Sequence, residues 1–257
     1  MPLMIIDTHC HINEPPLGQN IAQVLHEAEA SDVKIILAPG TDERSSQEVV
    51  SVASQYPGVI SAAVGVHPQI TSTKEDDLAF LESLLQQPGV VAIGEIGIDA
   101  EVEYPDQNIQ IPRFITQLKL AYKHNLPVLI HCRRAFQKMQ EILQSLGPGP
   151  GGILHSWAGS WDILKTLIPL GFYYGVSGVV TWPKARRRRE ALVTLPLDRM
   201  VLETDAPYIG TLHAHKGQVA PKDIVETCQA VAEIKGCSYQ EIAELTTMNA
   251  KKLLRLA

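Results

Sequence analysis

The sequence predicts an α/β fold of eight βα units, a TIM (β/α)8 barrel with further helices at its C-terminus. Three observations carry that expectation. Short apolar and β-branched runs recur eight times, stretches with helical periodicity separate them, and the 257 residues match the length such a barrel takes. A doubly wound open sheet competes, but it usually carries fewer strands and often a Gly-rich phosphate turn after the first. This chain places histidines there.

The first strand is expected over 3–8 (LMIIDT), leading into IDTHCHI at 6–12. If extended backbone continues, Asp7, His9 and His11 share one face and Thr8 and Cys10 the other. The next strands are expected at 33–38, 59–66, 90–95, 127–131, 152–155, 172–177 and 200–205. Between them, segments such as 19–31, 107–124 and 158–170 repeat apolar residues at helical spacing. GPGPGG at 147–152 is a loop before the sixth strand, and no low-complexity linker interrupts the chain, so 1–257 reads as a single domain. After the eighth strand, 221–235 and the segment following Gly236 read as helices. In the second of these Ser238 and Glu241 have the spacing of a capping box.

The composition is 45% hydrophobic and 19% charged, which excludes a disordered chain, and no apolar run approaches the roughly 20 residues of a membrane helix. The N-terminus has no basic segment, and Asp7 and His9 interrupt it where a signal peptide stays apolar, so a cytoplasmic protein is expected. Four cysteines without CxxC spacing read as small buried hydrophobes in a reducing compartment. The formal net charge of −6 lacks the basic balance usual in proteins that coat nucleic acid. A phosphodiester substrate would need metal or local charge to hold it.

In such a barrel the catalytic face lies where strands end. The polar residues expected there are His9 and His11 after strand one, His67 after three, Glu95 after four and His131 after five. Strand six adds His155, and strand eight adds Glu203 and Asp205. Each alone has an ordinary structural reading, since a histidine at a strand end often hydrogen-bonds a backbone carbonyl. Together, His9, His11, His131 and His155 with Glu95 and Asp205 supply donors for two divalent cations, one carboxylate bridging. Left unpaired, so many ionisable groups would carry a large desolvation penalty.

The blocks DTHCH, GVHP, GEIGID, HCR, HSWAGS and ETDAPY, with a C-terminal MNAKKLL, resemble in order the signatures of the TatD family of metal-dependent hydrolases, within the amidohydrolase superfamily. The resemblance spans nearly the whole chain. It implies His9, His11, Glu95 and Asp205 at one metal, with Glu95 bridging to a second held by His131 and His155. It also implies deoxyribonuclease or phosphodiesterase activity on DNA ends or small phosphodiesters. No lysine lies in VVAIGEIGID to serve as a carboxylated bridge, which leaves that role to Glu95. The mixed donor set suits Zn²⁺ or Mn²⁺ and tolerates Mg²⁺.

On this reading Asp205 is both ligand and proton acceptor. Arg133, two residues past His131, clamps a phosphate oxygen, His67 is a substrate or outer group, and Glu203 supports the ligands. The chain departs from the family pattern at Val219, at Arg134 where an acid is common, and at Trp157 where Phe is usual. Trp157 either packs or stacks a base. KARRRRE at 184–190 reads as the start of a solvated helix, the alternative being a phosphate-contacting rim. A C–N or ester hydrolase of the same superfamily and a non-catalytic metal-binding barrel are the competing functions. Nothing in the sequence calls for an obligate protein partner or a membrane.

Overall fold

The structure, a computed structural model, describes residues 3–71, 78–101 and 106–256. Its eight strands form one sheet in the order of the chain, the strand order of the expected TIM (β/α)8 barrel. The strands are β1 (Ile5–Asp7), β2 (Val33–Pro39), β3 (Ile60–Val64), β4 (Val90–Asp99), β5 (Val128–Arg133), β6 (Gly152–Leu154), β7 (Phe172–Val176) and β8 (Met200–Leu202). The helices are α1 (Ile21–Ala30), α2 (Glu43–Gln55), α3 (Ala79–Leu84), α4 (Gln107–His124), α5 (Phe136–Leu146), α6 (Trp161–Leu167), α7 (Arg186–Thr194), α8 (Ile224–Lys235) and α9 (Tyr239–Leu254). The capping box expected at the last helix is present: Glu241 N donates to Ser238 Oγ at 3.2 Å and Ser238 N to Glu241 Oε2 at 2.7 Å. Contacts divide the chain into two compact units. One combines the residues up to Ala38 with those from Tyr174 onward, and the other is Pro39–Tyr173.

In the first unit β7 pairs β8 (Val176 with Leu202) and β1 pairs β2 (Asp7 with Ile36), all parallel. Thr8 N donates to Leu202 O at 3.0 Å, so β8 lies beside β1. Its buried apolar residues include Ile5, Ile36, Tyr174, Val201, Ile224, Val231 and Ile242. β1 is shorter than expected. It ends at Asp7, and the ladder resumes only as an isolated bridge between Cys10 and Ala206. His9 and His11 therefore stand on a loop, and strand alternation is not what orients them.

In the second unit β3, β4, β5 and β6 pair in sequence, all parallel. β4 runs four residues past the expected end at 95 and contains a bulge. Its register steps from Ile93 opposite Val128 to Ile96 opposite Ile130, three residues against two, which re-aims the chain at Gly94 and Glu95. Beyond the bulge Gly97 lies opposite His131 with φ of 149°, and a Cβ there would fall 1.8 Å from His131 O. Only glycine lets β4 pass so close to β5.

Helix α4 buries Gln110, Arg113, Phe114, Gln117, Leu118 and Ala121 on one face, the spacing of a single helical stripe. Half of that stripe is polar, and its hydrogen bonds explain why. Gln117 accepts from Val66 N at 2.7 Å and donates to Val66 O at 3.1 Å. Gln110 does the same for Asp99 N (2.7 Å) and Asp99 O (2.9 Å), while Arg113 donates to Ile70 O at 2.7 Å. The helix thus satisfies backbone groups on both sides of His67 and at the end of β4 that would otherwise be buried without partners.

Gln117→Leu keeps the volume but strands both polar groups of Val66. At about 1–3 kcal/mol for a buried group left unsatisfied, equilibrium urea unfolding is expected to show a loss of at least 2 kcal/mol. A loss near zero would mean that Val66 finds other partners.

Candidate metal centre

The first unit places three expected ligands together. His9 Nε2 lies 3.1 Å from His11 Nε2, and Asp205 Oδ1 lies 3.7 and 3.5 Å from the same two nitrogens. All three residues are buried. Two backbone links hold the loops in register: Asp205 N donates to His9 O and His11 N to Ala206 O, both at 2.8 Å. Asp205 has φ of 54°, a left-handed conformation in which an aspartate is among the better-tolerated residues. β8, expected to run to 205, stops at Leu202, and this turn follows three residues past its end. Three buried N and O donors within 4.8 Å of one another fit a divalent cation of the kind the sequence implies.

Asp7, to which the sequence reading gave no role, ties these loops together. Its Oδ1 accepts from Thr204 N at 2.9 Å and His9 N at 3.2 Å, and its Oδ2 accepts from Thr204 Oγ1 at 2.6 Å. Complete burial pushes its carboxyl up to about 7 against the pull of those hydrogen bonds. Glu203 is also buried, and a Cβ on Gly175 would lie 2.2 Å from its Oε2, so glycine in β7 leaves the room it occupies.

The arginine run does not behave as one surface. Arg186 and Arg187 are exposed as a solvated helix start requires, while Arg189 donates to Val180 O at 2.6 Å. Arg188 is half-buried; burial lowers its pKa while the negative charge of Glu203 opposes that shift.

The second unit gathers His67, Glu95 and His131, with donor atoms within 4.8 Å of one another. Glu95 Oε1 lies 3.1 Å from His131 Nδ1 and 3.5 Å from His67 Nε2. His155 stands beside His131, the rings 6.5 Å apart and inclined at 26°. His67 Nδ1 accepts from Gln69 N at 3.2 Å, which puts the proton of its neutral ring on Nε2, facing Glu95. That makes His67 Nε2 a donor on the side of Glu95.

His131 is flanked by a carboxylate that the sequence reading passed over. Asp99 ends the quoted block GEIGID, and its Oδ2 lies 3.0 Å from His131 Nε2 and accepts from Gln69 Nε2 at 2.7 Å. Burial opposes ionisation of Asp99, but those hydrogen bonds and that of Glu101 N hold its carboxyl down at about 2. Burial likewise works against a charged His131, while Asp99 and Glu95 raise its pKa to about 9. With Nε2 bound to Asp99, Nδ1 is the nitrogen left to face a cation beside Glu95, an arrangement in which an outer carboxylate fixes the ring of a ligand. The signal in the sequence was a second acid four residues after Glu95. Without the bulge, its direction could not be read.

Arg133 is 58% exposed at its side chain and pairs with Glu101. Trp157 is buried with its ring edge-on to Phe136 at 5.3 Å, so it packs, and Val219 is buried as well.

A family model described as TatD related DNase matches residues 6–255. The chain belongs to the TatD family. It is 34% identical over 256 residues to the metal-dependent hydrolase YabD of Bacillus subtilis, covering 98% of this chain and all of that one. The 3'-5' ssDNA/RNA exonuclease TatD of Erwinia tasmaniensis is 30% identical, with 98% of this chain and 100% of that protein covered. The crystal structure of YjjV, a TatD homologue from Escherichia coli K12, superposes with a TM-score of 0.93 at 30% identity over the full length of both chains. As a TatD-family member the chain is a metal-dependent hydrolase. Among the described residues no helix is long and apolar enough to cross a membrane.

Asp99→Asn keeps the size of the side chain but removes the charge that fixes His131. Metal affinity measured by competition with a chelator is expected to fall 10- to 100-fold, with the circular dichroism spectrum unchanged. Affinity within twofold of the parent would show that Asp99 has no part in holding the ring.

Proposed function

We propose that this TatD-family hydrolase cleaves phosphodiester bonds at the ends of single-stranded nucleic acid or in small phosphodiesters, using two divalent cations. His9, His11 and Asp205 hold one ion. His131 and His155 hold the other, and Glu95 contributes to both, as the family resemblance implies. The observation that carries this reading is the convergence of His9, His11 and Asp205 on one buried point. Support for nucleic acid as substrate comes from the relative whose name records action on single-stranded DNA and RNA. Zn²⁺, Mn²⁺ and Mg²⁺ all suit the donor set.

Bound cations there would supply an acidified water and neutralise charge on the phosphoryl group. The chain's own residues do the rest. Asp205, a carboxylate 8% exposed, accepts the proton of the attacking water. His67, protonated on Nε2, donates to a phosphoryl oxygen. Arg133 reaches a phosphate through its planar fork. Glu203 supports the loop that carries Asp205.

Asp205→Asn retains an oxygen for the metal and loses the basic one. At saturating metal, turnover of single-stranded DNA is expected to fall at least 100-fold, the lower end of general-base contributions, while a non-hydrolysable analogue binds within about tenfold of the parent. A fall of less than tenfold at full occupancy would move the base role to Glu203. The substrate class is tested by a panel of single-stranded DNA, RNA, nucleotides, carboxylic esters and amides, each with the three metals. Turnover confined to esters or amides would overturn the phosphodiester reading.

A further inference from the structure

Strand β5 ends at Arg133, a second arginine follows it at once, and consecutive residues of an extended strand point to opposite faces. These two converge instead. Arg134 has φ of 51°, a left-handed conformation uncommon for a long side chain, and the turn brings its guanidinium to the same carboxylate as that of Arg133. Glu101 Oε2 accepts from Arg133 Nη2, and Glu101 Oε1 from Arg134 Nε. One negative charge lies between two positive ones, so the trio keeps a net positive charge. Its arginines are 58% and 73% exposed, and each has further N–H groups beyond the one given to Glu101.

The position of the trio follows from register. Gly97 lies opposite His131 and Asp99 opposite Arg133, and Asp99 reaches diagonally to His131. Two residues further on, at the last residue of β5 and just past the end of β4, Glu101 reaches diagonally to Arg133. The buried acid–imidazole pair is thus followed, about 7 Å along the chain direction, by an acid–guanidinium pair whose arginine is exposed and whose acid is half-buried. A strand of nucleic acid with one phosphate at the metal centre has its neighbouring phosphate within reach of that second pair.

We infer that Arg133 and Arg134 form a fork for a second phosphate, which the carboxylate of Glu101 fills until a phosphate displaces it. The inference rests on the phosphodiesterase reading only for what carries the phosphate: the nucleotide next to the scissile bond. With both guanidinium groups largely in solvent the ion pairs are weak and give way at little cost, whereas two guanidinium groups offer planar, charge-assisted donors that match phosphate oxygens. The site therefore favours an oligonucleotide over a substrate with a single phosphate.

The test uses the full chain and a fluorescein-labelled, single-stranded DNA octamer with phosphorothioate linkages that resist hydrolysis. Binding is followed by anisotropy over a salt series. Arg134→Asn, which suits a left-handed backbone, is expected to weaken binding about tenfold and to lower the slope of log K against log salt by about one. Glu101→Gln is expected to tighten binding severalfold, because the competing charge is gone. In the double variant most of that gain disappears, since the fork it would uncover is broken. Additive effects would mean that Glu101 acts only as a general surface charge and would overturn the fork, as would parental binding by Arg134→Asn. Fork-dependent binding without hydrolysis of any phosphodiester would sustain the fork and overturn the phosphodiesterase reading.

Discussion

Burial of ionisable side chains at the strand ends is the constraint to which the rest of the structure answers. A charge removed from water must be paired or hydrogen-bonded, or it neutralises. Asp7 meets that demand with three hydrogen bonds from Thr204 and His9, and burial still pushes its carboxyl up to about 7. Asp99, with His131, Gln69 and the backbone of Glu101 around it, stays ionised. In each case the hydrogen bonds that satisfy the carboxylate also hold a neighbouring histidine in place. Asp7 anchors the backbone of His9, and Asp99 anchors the ring of His131.

The same demand shapes elements that never touch a cation. The polar stripe of α4 serves the backbone on both sides of His67 and at Asp99, and the bulge in β4 aims Glu95. Gly97 and Gly175 leave room for the His131 carbonyl and the Glu203 carboxylate. Removing a polar partner from such a network costs more than its own hydrogen bond, because the group left behind stays buried.

Positive charge outside the ligand groups is divided rather than pooled. In α7, Arg186 and Arg187 face solvent, Arg188 feels the field of Glu203, and Arg189 secures the backbone at Val180. At the end of β5, Arg133 and the following Arg134 share one acid. For a chain of net charge −6, local arrangement and not overall charge is what an anionic substrate meets.

The sequence by itself determined the alternation of strands and helices, the family, and the residue types at each strand end, because those depend on periodicity and on blocks read along the chain. It located α4 at 107–124 to the residue and the capping box at Ser238. The partners were decided only in three dimensions. That β1 stops at Asp7, that Asp99 faces His131, and that Gln110 and Gln117 point inward all depend on register between strands or on which helix face meets the sheet. A bulge of one residue changes register without any distinctive local composition, and a left-handed turn at Arg134 reverses the alternation a strand would impose. Local propensity specifies the elements, whereas the pairing of buried charges is settled where separate elements meet, by the energetic cost of leaving any of those charges unpaired.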